Sequence, residues 1–175
     1  MIHLVIGGAR SGKSRYAETL MAHYCKVDRP IYIATAQAKD SEMKQRIKHH
    51  QSQRNDSTLN WQVTECPLEL SSSLIRLPER AVILVDCLTL LLTNELINSE
   101  TIWQQRKVEL LSFLSQTEQT IVLVSNEVGS GIVPLGELSR KFVDEAGWLN
   151  QAIAAMADRV TLVIAGLPME LKGDC

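Results

Sequence analysis

Residues Gly7 to Ser14 read GGARSGKS and fit the pattern G-x-x-x-x-G-K-[ST]. Glycines at 7, 8 and 12 let the backbone bend tightly and turn its N–H groups inward around an anion. A helix that starts where the loop ends adds its positive N-terminal end. In such a loop the lysine reaches the β- and γ-phosphates of a nucleotide and the final hydroxyl ligates Mg²⁺. Gly7, Gly8, Ala9, Arg10, Ser11, Gly12, Lys13 and Ser14 are therefore a candidate nucleotide-binding segment, with Lys13 as a catalytic cation and Ser14 as a metal ligand. The pattern has force only between a strand and a helix. Ile2–Ile6 is apolar apart from His3, and Ser14–Tyr24 sets Ala17, Leu20, Met21 and Tyr24 on one helical face. Both conditions hold, which a chance glycine turn would not satisfy.

Three further segments could do chemistry. Asp86 ends the apolar run Ala81–Val85. A carboxylate there can hold Mg²⁺ against the loop serine. The competing role is a helix N-cap, for which Thr89 is a rival. Asp40–Arg54 reads DSEMKQRIKHHQSQR, a polar helix. Met43, Ile47 and His50 recur at i, i+4 and i+7 and share its apolar face. Glu42, Gln45, Arg46, His49 and Gln53 fall toward the polar side. His49 is thus the imidazole better placed to reach a nucleotide, and a neutral imidazole can attack a phosphoryl group. Taken alone, two adjacent histidines on a polar helix are more often surface residues. Ser125–Pro134, SNEVGSGIVP, offers the Glu127 carboxylate and a loop loosened by Gly129 and Gly131, or simply a β-α connection.

The elements that position these residues alternate. Ile31–Ala34, Ala81–Val85, Thr120–Val124 and Arg159–Ala165 are short apolar runs. Runs apolar at every position suit strands covered on both faces, as in a parallel sheet. Trp61–Glu65 alternates and reads as an edge strand. Leu90–Ile97, Thr101–Leu114 and Leu138–Met156 carry helical patterns, Ser71–Ser73 opens another, and Ser52–Asn60 is a polar loop. Strand-helix alternation over one chain predicts an α/β fold with a doubly wound, mostly parallel sheet and ligands beyond the carboxyl ends of the strands. The 175 residues suit a single domain.

Composition narrows the function. The net charge of −2, with 18 basic and 20 acidic residues, gives no reason to expect nucleic acid as partner. No apolar run reaches the length of a membrane span. The N-terminus shows no signal-peptide pattern, so a cytoplasmic protein is expected. The four cysteines, Cys25, Cys66, Cys87 and Cys175, have no metal-site spacing and read as reduced, mostly buried thiols.

In this order the segments resemble one family, the bifunctional adenosylcobinamide kinase / adenosylcobinamide-phosphate guanylyltransferases of cobalamin biosynthesis. The resemblance covers nearly the whole chain. It rests on GGARSGKSRYAE, YIATAQ at 32–37, RIKHHQ at 46–51, WQVTE at 61–65, DCLTLLLTN at 86–94, SNEVGSGIVP and the closing VIAGLP. The resemblance implies a P-loop NTPase fold of RecA-like type and a homotrimer. It implies a kinase reaction on adenosylcobinamide with ATP or GTP. It also implies transfer of GMP from GTP to adenosylcobinamide phosphate through a guanylyl-histidine, which falls on His49. By the same resemblance Ala34, Thr35, Ala36, His50, Gln51, Ser52, Gln53, Glu65 and Asp86 contact the nucleotide, and Mg²⁺ sits at Ser14 and Asp86. Some members carry Glu at the position of Asp86. Two readings compete: a simple P-loop small-molecule kinase with both histidines structural, and a nucleotide-switched regulatory protein.

Overall fold

The computed structural model describes residues 1–25, 29–38, 41–45, 47–48 and 59–173. Seven strands form one sheet: β1 (Ile2–Gly7), β2 (Ile31–Ala34), β3 (Gln62–Glu65), β4 (Val82–Asp86), β5 (Thr120–Asn126), β6 (Arg159–Ile164) and β7 (Leu167–Lys172). Their spatial order is β3-β2-β4-β5-β1-β6-β7. All neighbours pair in parallel except β6 with β7. The described helices with full bounds are α1 (Lys13–Tyr24), α2 (Leu70–Ile75), α3 (Leu88–Asn98), α4 (Glu100–Gln116) and α5 (Glu137–Met156). Residues 41–45 and 47–48 are also helical. None of the described helices is long and apolar enough to cross a membrane.

The continuous apolar runs have a simple cause. Successive strand residues point to opposite faces, and both faces are covered. Leu4, Ile33, Ile83, Val85, Ile121 and Leu123 belong to one core cluster, with residues of α2 to α5. Val5, Tyr32, Leu84, Val122 and Val124 belong to the other, with Ala17 and Met21 of α1. Central strands can therefore afford no polar interior residue without a partner. Buried His3 of β1 obeys this rule, its Nδ1 bonded to Tyr24 Oη at 2.9 Å and its Nε2 to Thr161 Oγ1 at 2.8 Å.

The sheet matches the expected α/β architecture, with the run at 61–65 forming edge strand β3. One strand departs from the sequence reading. Leu167–Lys172 turns back antiparallel on β6 through Ala165 and Gly166, at φ 51° and 81°. A two-residue turn with positive φ at both positions normally shows Asn-Gly or Asp-Gly, and here Ala occupies the first. Pro168, Glu170 and Lys172 also dilute the apolar signal. The helix after Asp86 begins at Leu88 with Cys87 as its N-cap residue and no side-chain cap. Neither Asp86 nor Thr89 serves as the cap. The Thr89 hydroxyl instead accepts from Asn126 N at 2.7 Å.

Candidate nucleotide site

The phosphate loop is built by close approach. A Cβ on Gly7 would stand 2.5 Å from Val163 O and 2.6 Å from Ser11 Oγ, so no side chain fits there. Gly12 adopts φ 93°, and a Cβ on it would meet Gly166 Cα at 3.1 Å. Ser11 N donates to Gly8 O at 3.2 Å, and Gly166 N donates to Ser11 O at 2.8 Å. The β6–β7 turn thus braces the loop from behind. Gly166 is a supporting residue that sequence reasoning missed; its only signal was the VIAGLP segment. Gly12 is the N-cap of α1 and no side chain caps the helix, so its first amides are left for a ligand.

Lys13 opens α1 with 8% of its surface exposed. Its Nζ donates to Gly8 O at 3.0 Å, holding the lysine across the loop. Burial pushes its ammonium below the ordinary lysine range, while the Cys87 and Asp86 side chains push the other way. Asp86, 73 positions away in the sequence, ends β4, which one strand, β5, separates from the β1 strand that feeds the loop, and its charge favours the Lys13 ammonium. Tyr32 Oη donates to Asp86 Oδ2 at 3.1 Å, and the Tyr32 ring meets Trp61 edge-on at 5.8 Å. Burial drives the Cys87 thiol up to about 11. It stays neutral at physiological pH and is no nucleophile. Ser14 lies half-buried in the first turn of α1.

The other nucleotide candidates divide. Thr35 is fully buried. Its N donates to Asp86 O at 3.2 Å, its hydroxyl donates to Cys87 O at 2.7 Å and accepts from Cys87 N at 2.8 Å, and its carbonyl accepts from Asn94 Nδ2 at 2.9 Å. Its polar groups thus hold the end of β4 in place. Asn94 Nδ2 also donates to Pro67 O at 3.1 Å, tying the ends of β2 and β3 to α3. Beyond those ends lies a cleft of about 590 Å³ lined by Ala36, Glu65 and Pro67 on the sheet side and Lys44, Ile47 and Lys48 on the helical side. Ala34 ends β2, level with Glu65 and Asp86 on its two neighbours. Strands β4 and β5 separate β2 from β1, so the cleft stands roughly 14 Å along the sheet edge from the phosphate loop. His49, His50, Gln51, Ser52 and Gln53 lie outside the described residues. Glu127 is exposed; its N donates to Gly7 O at 3.0 Å and its Oε1 accepts from Gly129 N at 2.7 Å.

Comparison with known proteins places this geometry in context. The family model described as "Cobinamide kinase / cobinamide phosphate guanyltransferase" matches residues 3–171. The Pseudomonas aeruginosa bifunctional adenosylcobalamin biosynthesis protein CobP is 50% identical over 177 residues, covering 99% of each chain. The Salmonella typhimurium and Escherichia coli proteins named CobU are 39% and 37% identical, covering 98% of this chain and 100% of their own.

Proposed function

The chain belongs to the cobinamide kinase / cobinamide phosphate guanyltransferase family, and from that membership we propose that the phosphate loop and the cleft beyond β2 and β3 share its two reactions. The protein is a bifunctional enzyme of adenosylcobalamin biosynthesis. It phosphorylates adenosylcobinamide with ATP or GTP. It then moves GMP from GTP onto adenosylcobinamide phosphate, giving adenosylcobinamide-GDP and releasing pyrophosphate. The observation that carries the division is the placing of the phosphate loop and Asp86 at the ligand ends of β1 and β4, on either side of β5, with Ala36 and Glu65 lining a separate cleft beside the helix that precedes His49.

In the kinase reaction the cobinamide hydroxyl oxygen bonds to the γ-phosphorus as the bridge to the β-phosphate breaks, and the hydroxyl proton is lost. Such a transfer needs positioning and charge neutralisation. The loop amides and Lys13 supply both. Ser14 and Asp86 offer a hydroxyl and a carboxylate beside the triphosphate position, hard oxygen donors that suit Mg²⁺ with phosphate and water. When bound, that ion would offset the charge of the triphosphate. Guanylyl transfer needs a nucleophile at the α-phosphorus, which the loop lacks. His49 takes that role: its ring nitrogen attacks, pyrophosphate leaves, and an oxygen of cobinamide phosphate then displaces the histidine. Gly7–Ser14, Ala34–Ala36, His50–Gln53, Glu65 and Asp86 surround the nucleotide, with Thr35 acting through the backbone it holds. The family resemblance extends the proposal to a homotrimer working in the cytoplasm, with small-molecule partners only.

GTP labelled at the α-phosphorus tests the reading. The protein should take up acid-labile, base-stable label, and mass spectrometry should place GMP on His49. His49→Ala should lose the adduct and guanylyl transfer while kinase turnover persists. An adduct on His50 would move the assignment within the pair. Absence of any histidine adduct would leave a simple kinase.

A further inference from the structure

Strand β5 lies between β1, which feeds the phosphate loop, and β4, which ends in Asp86. Its last residue, Asn126, is level with Gly7, while Asp86 is level with Val124. Asn126 thus stands two residues further toward the ligand edge than Asp86, roughly 8 Å from it by strand spacing and rise. Strand alternation puts Asn126 on the face of Val122 and Val124, which is the face covered by α1 and hence the side of the loop and of Leu84 and Asp86.

The backbone here needs nothing from the Asn126 side chain. Asn126 N donates to Thr89 Oγ1, Asn126 O accepts from Asn150 Nδ2 at 3.3 Å, and the next amide donates to Gly7 O. Yet its side-chain Oδ1 is buried with no hydrogen-bond partner among the described residues. A buried polar atom without a partner lowers stability, and asparagine is a poor strand residue. Fold stability does not account for this side chain. The residue as a whole is half-buried, so part of it stays open to solvent at the end of β5.

We propose that the Asn126 side-chain amide, fixed between the phosphate loop and Asp86, contacts the γ-phosphate and makes Asn126 a further catalytic residue of the kinase reaction. The proposal rests on the kinase reading above. An amide N–H donates to a γ-phosphate oxygen without adding charge, and its donor strengthens as negative charge gathers on the oxygens in flight. Guanylyl transfer, at the α-phosphorus, makes no use of it.

The test compares binding of GTP with binding of GDP by calorimetry, alongside kinase turnover and thermal melting. Asn126→Asp puts a negative charge against the γ-phosphate and should lower GTP affinity at least about tenfold relative to GDP. Asn126→Ala should lower kinase kcat about a hundredfold, with GDP affinity, the GMP adduct and the melting temperature near wild type. If the aspartate variant does not fold, the alanine variant carries the binding test too, with an expected loss of about tenfold for GTP alone. GTP and GDP affinities that fall together, or wild-type turnover in Asn126→Ala, overturn the assignment. A wild-type protein that fails to phosphorylate cobinamide would instead sink the kinase reading itself.

Discussion

Lys13 takes a positive charge into a place where little of it meets water, which costs free energy unless something compensates. Among the described residues its compensation is a hydrogen bond to Gly8 O and the field of the Cys87 and Asp86 side chains. Both are weaker than a triphosphate would be, so the site is arranged for an anion that binds later. Lys13→Ala should lower kinase turnover by about 10²–10³-fold. Chemical denaturation should find the variant close to wild type in stability, because the charge that is lost was poorly solvated. Wild-type turnover in a folded Lys13→Ala protein would remove the lysine from the mechanism. Asp86 shows the complementary case: the Tyr32 hydroxyl occupies one carboxylate oxygen and orients the group without neutralising it.

At the scale of elements, α3 organises the ligand edge. It starts directly after Asp86, and Asn94 and Glu95 in its last turns reach the chain after β2 and β3. Glu95, almost wholly buried, accepts from Glu69 N at 2.8 Å and from Arg106 Nη1 of α4 at 2.6 Å. A similar clamp joins α4 to α5, where buried Glu145 accepts from Trp103 Nε1, Gln104 Nε2 and Lys107 Nζ, each at 2.8 Å. These donors hold the Glu145 carboxyl below its ordinary value against the opposing effect of burial. The Thr35 hydroxyl is the narrowest link, since Cys87 N donates to it and Cys87 O accepts from it as well as from Leu91 N. Thr35→Val keeps the shape and leaves Cys87 N unsatisfied, while Cys87 O keeps Leu91 N at 3.1 Å, so it should cost about 1–3 kcal/mol by urea denaturation. Thr35→Ser should recover most of that. Equal stability of the valine variant would mean that Cys87 finds other partners.

Across the whole molecule, His3 of β1 joins α1 to the β6–β7 edge of the sheet. Its ring links Tyr24 of α1 to Thr161 of β6, and Thr161 Oγ1 in turn donates to Glu170 of β7 at 3.2 Å. A neutral imidazole can donate to one hydroxyl and accept from the other; a protonated one can only donate. Burial lowers the His3 pKa to about 4, with Glu170 opposing and Arg159 adding to the shift. The unfolded chain, with an ordinary histidine near 6.5, binds the proton first. Stability is thus complete above pH 6.5 and declines as pH falls toward 4, by at most about 1.4 kcal/mol per pH unit from this group. Urea midpoints at pH 7.5, 6 and 5 should fall faster for wild type than for His3→Gln. Parallel pH profiles would show that His3 does not carry the dependence.

Features that depend on near neighbours in the chain were legible in the sequence itself. The glycine spacing of Gly7, Gly8 and Gly12, set between an apolar run and a helical pattern, marks a tight turn, and uninterrupted apolar runs such as 81–85 suit strands buried on both faces. Asp86 was readable because it ends such a run, and His49 because helical spacing separates it from Met43 and Ile47; its role still rests on that spacing and on the family. Strand β7 was not legible, because Ala165 hides the turn and charged residues break the pattern. Nor was the commitment of Thr35 to Cys87, or the position of Asn126 between loop and carboxylate. Those follow from which strands lie side by side. Strand order is set by burying two apolar faces at once over separations of a hundred residues or more, and no local pattern records it.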